Sequence, residues 1–399
     1  MEVKQIYTLM NNVTNEILGK TDIVKEDLSN VVEVGTEIFG ATDVDKYVKS
    51  LVNHIGKVVF IDRPYAGSAP SVLMDSWEFG SVMEKISADL PQATENESWE
   101  LEDGQEYKQD IFYKPSVSAK FFNKMVTFEI PMSFTEKQVK QSFSSAAQLN
   151  GFLSMLYNSV EKSFTVKLDS LIMRNIANMI GETVAHDFPT VTTGGMNAYA
   201  GSTSIRAVNL LKLYNDAKGT DIRFDTALQT PEFLRFCVYT IGLYVDRISK
   251  MSTLFNVGGK ERFTSGEFMR FVLLSEFKNA TTAYLQSDTF HEDLVKLPES
   301  EVVPYWQGSG QNYSFKDTSA INIKTASGAS VNMVGIIGVI FDRDALGVCN
   351  TDRRVTTNYN AKAEFFNNYY KFDAEYYNDL NENFVLFFID EASHSTSAK

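Results

Sequence analysis

Few residues in this chain have types and spacings suited to chemistry. Four histidines, His54, His186, His291 and His394, are the side chains whose unperturbed charge changes near neutrality. His54 ends an amphipathic stretch, His186 and His291 sit in polar, loop-like sequence, and His394 lies in the tail EASHSTSAK. None has the spacing of zinc ligands. As general bases they would need partners that only the fold could bring alongside, and the sequence reads them as structural or surface residues. Asp342 and Asp344 in FDRDALG could be a paired general acid and base, but they equally suit the turn at a strand end. Cys237 lies in the apolar LRFCVYTIG, the setting of a helix core rather than a nucleophile. The paired glycines of TTGGM and NVGGKERFTSG lack the strand before, the helix after and the Gly-Lys-Ser/Thr ending of a phosphate-binding loop. There is no Gly-x-Ser-x-Gly elbow. The expectation is a protein that is not an enzyme, with no cofactor and no metal.

The composition agrees. Of the 399 residues 44% are hydrophobic and 22% charged, the balance of a folded protein, at a length that predicts two or three lobes. A net charge of −14 argues against an electrostatic grip on nucleic acid, though not against enclosing it. The start MEVKQIYTLMNNVTNEI has no basic-then-apolar signal, and no window reaches the ~20 apolar residues of a membrane span. Cys237 and Cys349 read as buried free thiols of a reducing compartment.

Elements follow from the patterning. Residues 1–40 are polar and weakly patterned, and predict an arm with a short helix at most. GATDVDKYVKSLVNHIG predicts a helix capped by Thr42, with Val44, Tyr47, Val48, Leu51, Val52 and Ile55 on one stripe and Gly56 as terminator, before the strand KVVFID. From about 64 to 126, two extended limbs flank the acidic ENESWELEDGQEYKQ. That is a long two-stranded excursion, marginal by itself in water, so something must cover it. Ser133 and Glu136 form a capping-box pattern. A helical run then continues to Gly181, with Phe152, Met155, Leu156, Val160, Phe164, Leu168, Leu171, Ile172, Ile176 and Met179 in period, about ten turns of strut. Helices over STSIRAVNLLKLYNDAKG and TPEFLRFCVYTIGLYVDRISKM, and strands FMRFVLLSEF, VNMVGIIGVIF, RRVTTNY and FVLFFI, predict an α+β chain with a mixed sheet. In KFDAEYY, Phe372, Ala374 and Tyr376 alternate with Lys371, Asp373 and Glu375, so the first set is expected on the strut and the second free for solvent or a neighbour.

This order of elements resembles the major capsid protein of tailed bacteriophages, of Hong Kong 97-type fold, and within it the phi-twenty-nine-like short-tailed phages of Gram-positive hosts. VVEVGTEIFGATDVDKYVKSLVNHIGKVVF resembles that group's opening helix and entry strand. QLNGFLSMLYNSVEKSFTVKLDSLIMRNI resembles its spine helix, and FDRDALGVCNTDRRVTTNYNAKAEFFNNYYKF its closing segment. The best-known relative adds an immunoglobulin-like domain at its C-terminus, and no such domain is expected after FVLFFI.

The resemblance implies an N-terminal arm over 1–40, a helix and entry strand of the peripheral domain over 41–63, an extended hairpin loop over 64–126, the spine helix over 127–184, an axial domain over 185–340, and closing strands with a tail over 341–399. It implies a self-assembling head protein forming pentamers and hexamers of an icosahedral or prolate shell around packaged double-stranded DNA. Scaffolding protein and portal would be its partners, the bacterial host cytoplasm its place of assembly and the virion capsid its final location, with no membrane. An encapsulin-type nanocompartment is the alternative with the same fold. Trp99 with Glu97, Glu100 and Glu102 at the hairpin tip, and Phe365 and Tyr369 on the aromatic strand, are the expected subunit-interface residues. Lys162, Lys167 and Arg174 on the strut are the expected DNA-facing ones.

Overall fold

The computed structural model describes residues 3–20, 23–41, 46–47, 50–51, 54, 69–74, 83–91, 93, 95–107, 110, 112–191, 198–286, 300–307 and 314–391. Most of the expected helix over 41–56 and all of the strand KVVFID lie outside the described residues; Tyr47 and Leu51, which do not, are buried. The chain divides into two compact units, the first comprising 1–80, 124–174 and 348–376, the second 81–123, 175–347 and 377–399. Its strands are β1 (Leu73–Met74), β2 (Met83–Ala88), β3 (Val117–Phe122), β4 (Met125–Thr135), β5 (Ala207–Asn209), β6 (Met269–Leu274), β7 (Glu301–Val303), β8 (Ile321–Lys324), β9 (Ser330–Met333), β10 (Ile336–Asp342), β11 (Leu346–Asn360), β12 (Phe365–Asn378) and β13 (Phe384–Phe388). The mixed α+β chain is as expected.

In the first unit a four-stranded sheet runs β1-β11-β12-β4. Strand β12 pairs antiparallel with β4 from Phe365↔Thr135 to Glu375↔Met125. That pairing corrects the expected cap. Ser133 is still in the ladder, and the helix Glu136–Ser142 opens only after the last paired residue, with Thr135 as N-cap and Gln138 completing the capping box. The spine helix Ala146–Asp187 follows, 42 residues and roughly 60 Å long. Over the first unit it buries a narrow stripe of Leu149, Leu153, Leu156, Val160, Phe164, Leu168 and Leu171. Phe164 meets Phe372 of β12 edge-on at 4.6 Å between ring centroids, so the stripe faces the closing sheet as its spacing predicted. Met155, placed on the stripe by the sequence, is 54% exposed. It lies one residue off the buried Leu156 and so turns out of a stripe this narrow.

Residues 1–40 are not a loose arm. Helices Val3–Leu18 and Val31–Ala41 bury Ile6, Leu9, Met10, Val13, Val34 and Ile38. The polar residues that made this stretch look unstructured are partly internal. Asn11 exchanges hydrogen bonds with the backbone of Val24, accepting at 3.0 Å and donating at 3.3 Å, and Thr14 donates to the Met10 carbonyl at 2.7 Å. Gly35 lies against Phe143, where a Cβ would come within 2.8 Å of the side chain.

The second unit centres on a five-stranded mixed sheet, β5-β13-β10-β6-β7. All seven residues of β10 and all five of β13 are buried. FVLFF therefore sits at the heart of this sheet, paired with β10 and β5, rather than closing beside the aromatic strand. Helices Leu210–Lys218 and Pro231–Ile248 cover it through Leu211, Tyr214, Phe233, Cys237 and Ile241. The residues of SEF after β6 are helical, opening Ser275–Gln286. The spine helix also passes Gly181 and continues to Asp187, because the glycine is a close-approach site rather than a terminator: a Cβ there would overlap Ile323.

Candidate assembly surfaces

The residues with catalytic potential are occupied structurally. His186, Asp187 and Ser204 come together, but the Ser204 hydroxyl donates to Asp187 at 2.5 Å, not to the imidazole, and in the grouping of Ser50, His54 and Glu16 the Ser50 hydroxyl donates to Glu16. Arg206 also donates to Asp187, and His186 Nδ1 lies 3.1 Å from it. Burial alone would raise the Asp187 carboxyl; the hydrogen bonds from Arg206, Ser204 and His186 outweigh it and hold the pKa below the usual range. This arrangement ties the end of the spine helix down and contains no activated hydroxyl. Cys237 is fully buried, which pushes its thiol well above the ordinary range, and Cys349 is buried too. Asp342 accepts from the Thr264 hydroxyl at 2.7 Å and the Asp344 backbone at 2.9 Å, a turn and not an acid/base pair. His54 Nδ1 lies 2.9 Å from the Ser50 carbonyl. Residues His291, His394 and the TTGGM glycines lie outside the described residues. Gly258 and Gly259 form a turn in which Gly258 donates to the Leu380 carbonyl at 2.8 Å. No group of His, Cys, Asp and Glu able to hold a metal occurs among the described residues, and no helix is long and apolar enough to cross a membrane.

The surfaces left over are more informative. Strands β2 and β3 pair antiparallel from Met83↔Phe122 to Ala88↔Val117 as the stem of the expected excursion. Their alternation is inverted relative to a strand that packs on its own chain. The half-buried face carries Met83, Lys85, Ser87, Ser118, Lys120 and Phe122, and the exposed face Glu84, Ile86, Ala88, Val117, Ala119 and Phe121. Ile86 and Phe121 are each 65% exposed. Beyond the stem, Trp99 is 95% exposed in the turn Glu97–Trp99, and Glu100, Glu102, Phe112 and Tyr113 are exposed. Glu97 shares that turn; its side chain lies outside the described set. The sequence singled out Trp99 but missed Ile86, Phe112, Tyr113 and Phe121. The signal was there in VSAKFF, whose period of two puts Val117, Ala119 and Phe121 on one face.

On β12 the residues sort differently. Phe366, Tyr370, Phe372 and Ala374 are buried, while Phe365 and Tyr369 are half-buried. Asp373 and Glu375, expected to be free, are 8% and 6% exposed. Arg354 donates to Asp373 at 2.5 Å and Thr127 at 2.6 Å, which holds that carboxyl below its ordinary range against its burial. The Glu375 carboxylate has no hydrogen bond or ion pair among the described residues, and burial raises its pKa. Lys162, Lys167 and Arg174 are exposed on the spine helix, and none pairs with a carboxylate among the described residues.

Solved structures similar to this chain include the capsid of Staphylococcus phage Andhra (9% identity, TM-score 0.45, 82% of this chain and 85% of that one). The capsid of the cyanophage P-SCSP1u (10%, 0.42, 81% and 87%) and the mature capsid of bacteriophage PhiM1 (9%, 0.42, 82% and 88%) are similar as well. No curated protein matches the sequence. The assignment rests on the family match: residues 10–388 fit the description "Phi29-like phage major capsid protein". The match is to a phage head protein, with nothing in it to favour a cargo compartment or an enzyme. The chain therefore belongs to the family of Phi29-like phage major capsid proteins.

Proposed function

We propose that this capsid protein is a Hong Kong 97-type shell subunit that closes into rings of five and six, and that those rings build an icosahedral or prolate head around double-stranded DNA. The observation that carries the reading is the hairpin, whose apolar stem face and aromatic tip are open to solvent in the single chain. An exposed apolar surface of this kind is costly unless another surface covers it, and a subunit that repeats around a ring supplies one in every copy.

Trp99, with Glu97, Glu100 and Glu102 beside it in the sequence, is the anchor to a neighbouring copy. Phe365 and Tyr369 on β12 make a second contact. Lys162, Lys167 and Arg174 face the DNA. Three cations on a chain of net charge −14 give a loose, salt-sensitive contact that lets DNA move during filling. A scaffolding protein and a portal complete the assembly in the host cytoplasm. Negative-stain microscopy of the expressed protein, with and without a scaffolding partner, tests the reading. Rings or closed shells are expected. A stable monomer under every assembly condition would remove it.

A further inference from the structure

Lys85 and Lys120 are direct cross-strand partners in the hairpin stem. Like charges directly opposite one another destabilise a two-stranded ribbon, and this ribbon buries little apolar surface to compensate. The repulsion is cancelled from the same chain. Asp379, just beyond β12 and with its side chain only 2% exposed, places one carboxylate oxygen 3.0 Å from Lys85 and the other 2.9 Å from Lys120. Glu382 lies 2.6 Å from Lys85 and 3.2 Å from Arg262. Farther along the stem Lys260 meets Asp89 at 2.8 Å. Burial works against the charge on Asp379, yet Lys85 and Lys120 hold its pKa below the ordinary range. The turn bearing these acids is itself fixed. Asp379 N–H donates to the Ala345 carbonyl at 2.7 Å, Gly258 N–H donates to the Leu380 carbonyl at 2.8 Å, and a Cβ on Gly258 would overlap Asn381.

From this geometry we infer that Asp379, with Glu382, is an electrostatic latch. Together with the Phe122 ring, which meets Tyr377 at 5.2 Å, it seats the hairpin on its own lobe by the lysine-bearing face and so holds the apolar side chains of Ile86, Val117 and Phe121 outward before any partner arrives. An apolar seat would have turned those residues inward and hidden them. A seat of ion pairs leaves them presented and fixes the direction in which the Trp99 tip projects, which lowers the ordering cost of the next contact. This inference rests on the shell-subunit reading, deepening it to the residues that aim the hairpin.

The test is hydrogen exchange of the full-length free subunit, followed by its assembly rate. Asp379→Asn keeps the shape and removes the one carboxylate that touches both Lys85 and Lys120, leaving only Glu382 beside Lys85. Amides of β2 and β3 should exchange roughly tenfold faster, with those of the Pro231–Ile248 helix unchanged. Since Asp379 is buried and its variant could unfold, Glu382→Gln with Lys260→Gln provides a second route: it leaves Lys85 opposite Lys120, removes two other ion pairs of the stem, and should loosen the stem severalfold. Unchanged stem exchange in the variants that fold would overturn the latch. A loosened stem with an unchanged assembly rate would overturn its role in presentation. Failure of the wild-type chain to assemble at all would instead count against the shell reading, with the exchange result standing separately.

Discussion

Strand β12 and the β2–β3 hairpin are both two-faced ribbons rich in aromatic residues, and they satisfy opposite requirements. In β12 the rings turn inward: Phe372 is fully buried against Phe164 of the spine helix and Phe128 of β4. In the hairpin the face of Lys85, Lys120 and Phe122 turns toward its own chain, and Ile86, Val117 and Phe121 turn away. Aromatic content alone therefore distinguishes nothing. What separates a core strand from an assembly strand is which half of the alternation its own chain covers.

If that contrast holds, substitutions at the buried rings of β12 and their seat should damage the subunit, and substitutions on the outward face of the hairpin should damage only what subunits build. The largest effect is expected at Leu168 and Phe372, 2% and 0% exposed: Leu168→Ala should cost about 2–5 kcal/mol and Phe372→Ala about 3–5 kcal/mol in chemical denaturation, through the cavities left behind. Silent substitutions there would mean the stripe faces the wrong way. Next is Gly181→Val, where the new side chain collides with Ile323; a loss of about 1–3 kcal/mol is expected, and part of it should return when Ile323 is shortened to Ala.

Smaller effects separate two carboxylates on β12. Asp373 has a depressed pKa, so its contribution is present above the ordinary carboxylate range and fades as pH falls through the folded value. Asp373→Asn should lose about 1 kcal/mol at neutral pH, with the deficit disappearing toward acid. Glu375 has a raised pKa, so the opposite sign applies: wild-type stability is highest below the ordinary range and declines as pH rises through the folded value. Glu375→Gln should gain on wild type as pH rises from about 4 to 7. Thermal melts across that range check both. The smallest effects on stability belong to the exposed residues. Trp99→Ala, and joint neutralisation of Lys162, Lys167 and Arg174, should each stay within about 0.5 kcal/mol of wild type. The first should nonetheless slow or stop assembly, while the second should leave empty shells intact and change only the DNA they retain.

Much of this was legible in the sequence, for identifiable reasons. The spine stripe from Leu156 to Leu171 keeps a helical period that no loop would, and Phe372 and Ala374 alternate as a strand must. The N-terminal helices were missed because Asn11 and Thr14 read as solvent-facing, although their hydrogen bonds make them internal. Gly181 read as a terminator because the sequence does not show Ile323 lying against it. Asp373 and Glu375 read as free because alternation gives two faces without saying what covers the second. FVLFFI was clearly a buried strand, but an all-apolar strand carries no label for its sheet. The hairpin's seat was invisible for a different reason. Lys85 and Asp379 lie far apart in the sequence, and isolated lysines in a polar segment give no sign of their partner.

The central claim, that another copy covers the hairpin's outward face, is tested most directly by side-chain footprinting. Hydroxyl-radical oxidation of Trp99, Phe112, Tyr113 and Phe121 is measured in free subunits and in assembled shells, with buried Phe372 as internal reference. The account predicts strong labelling of all four in the free chain and suppression of Trp99 and Phe121 on assembly. Equal labelling in both states would contradict it.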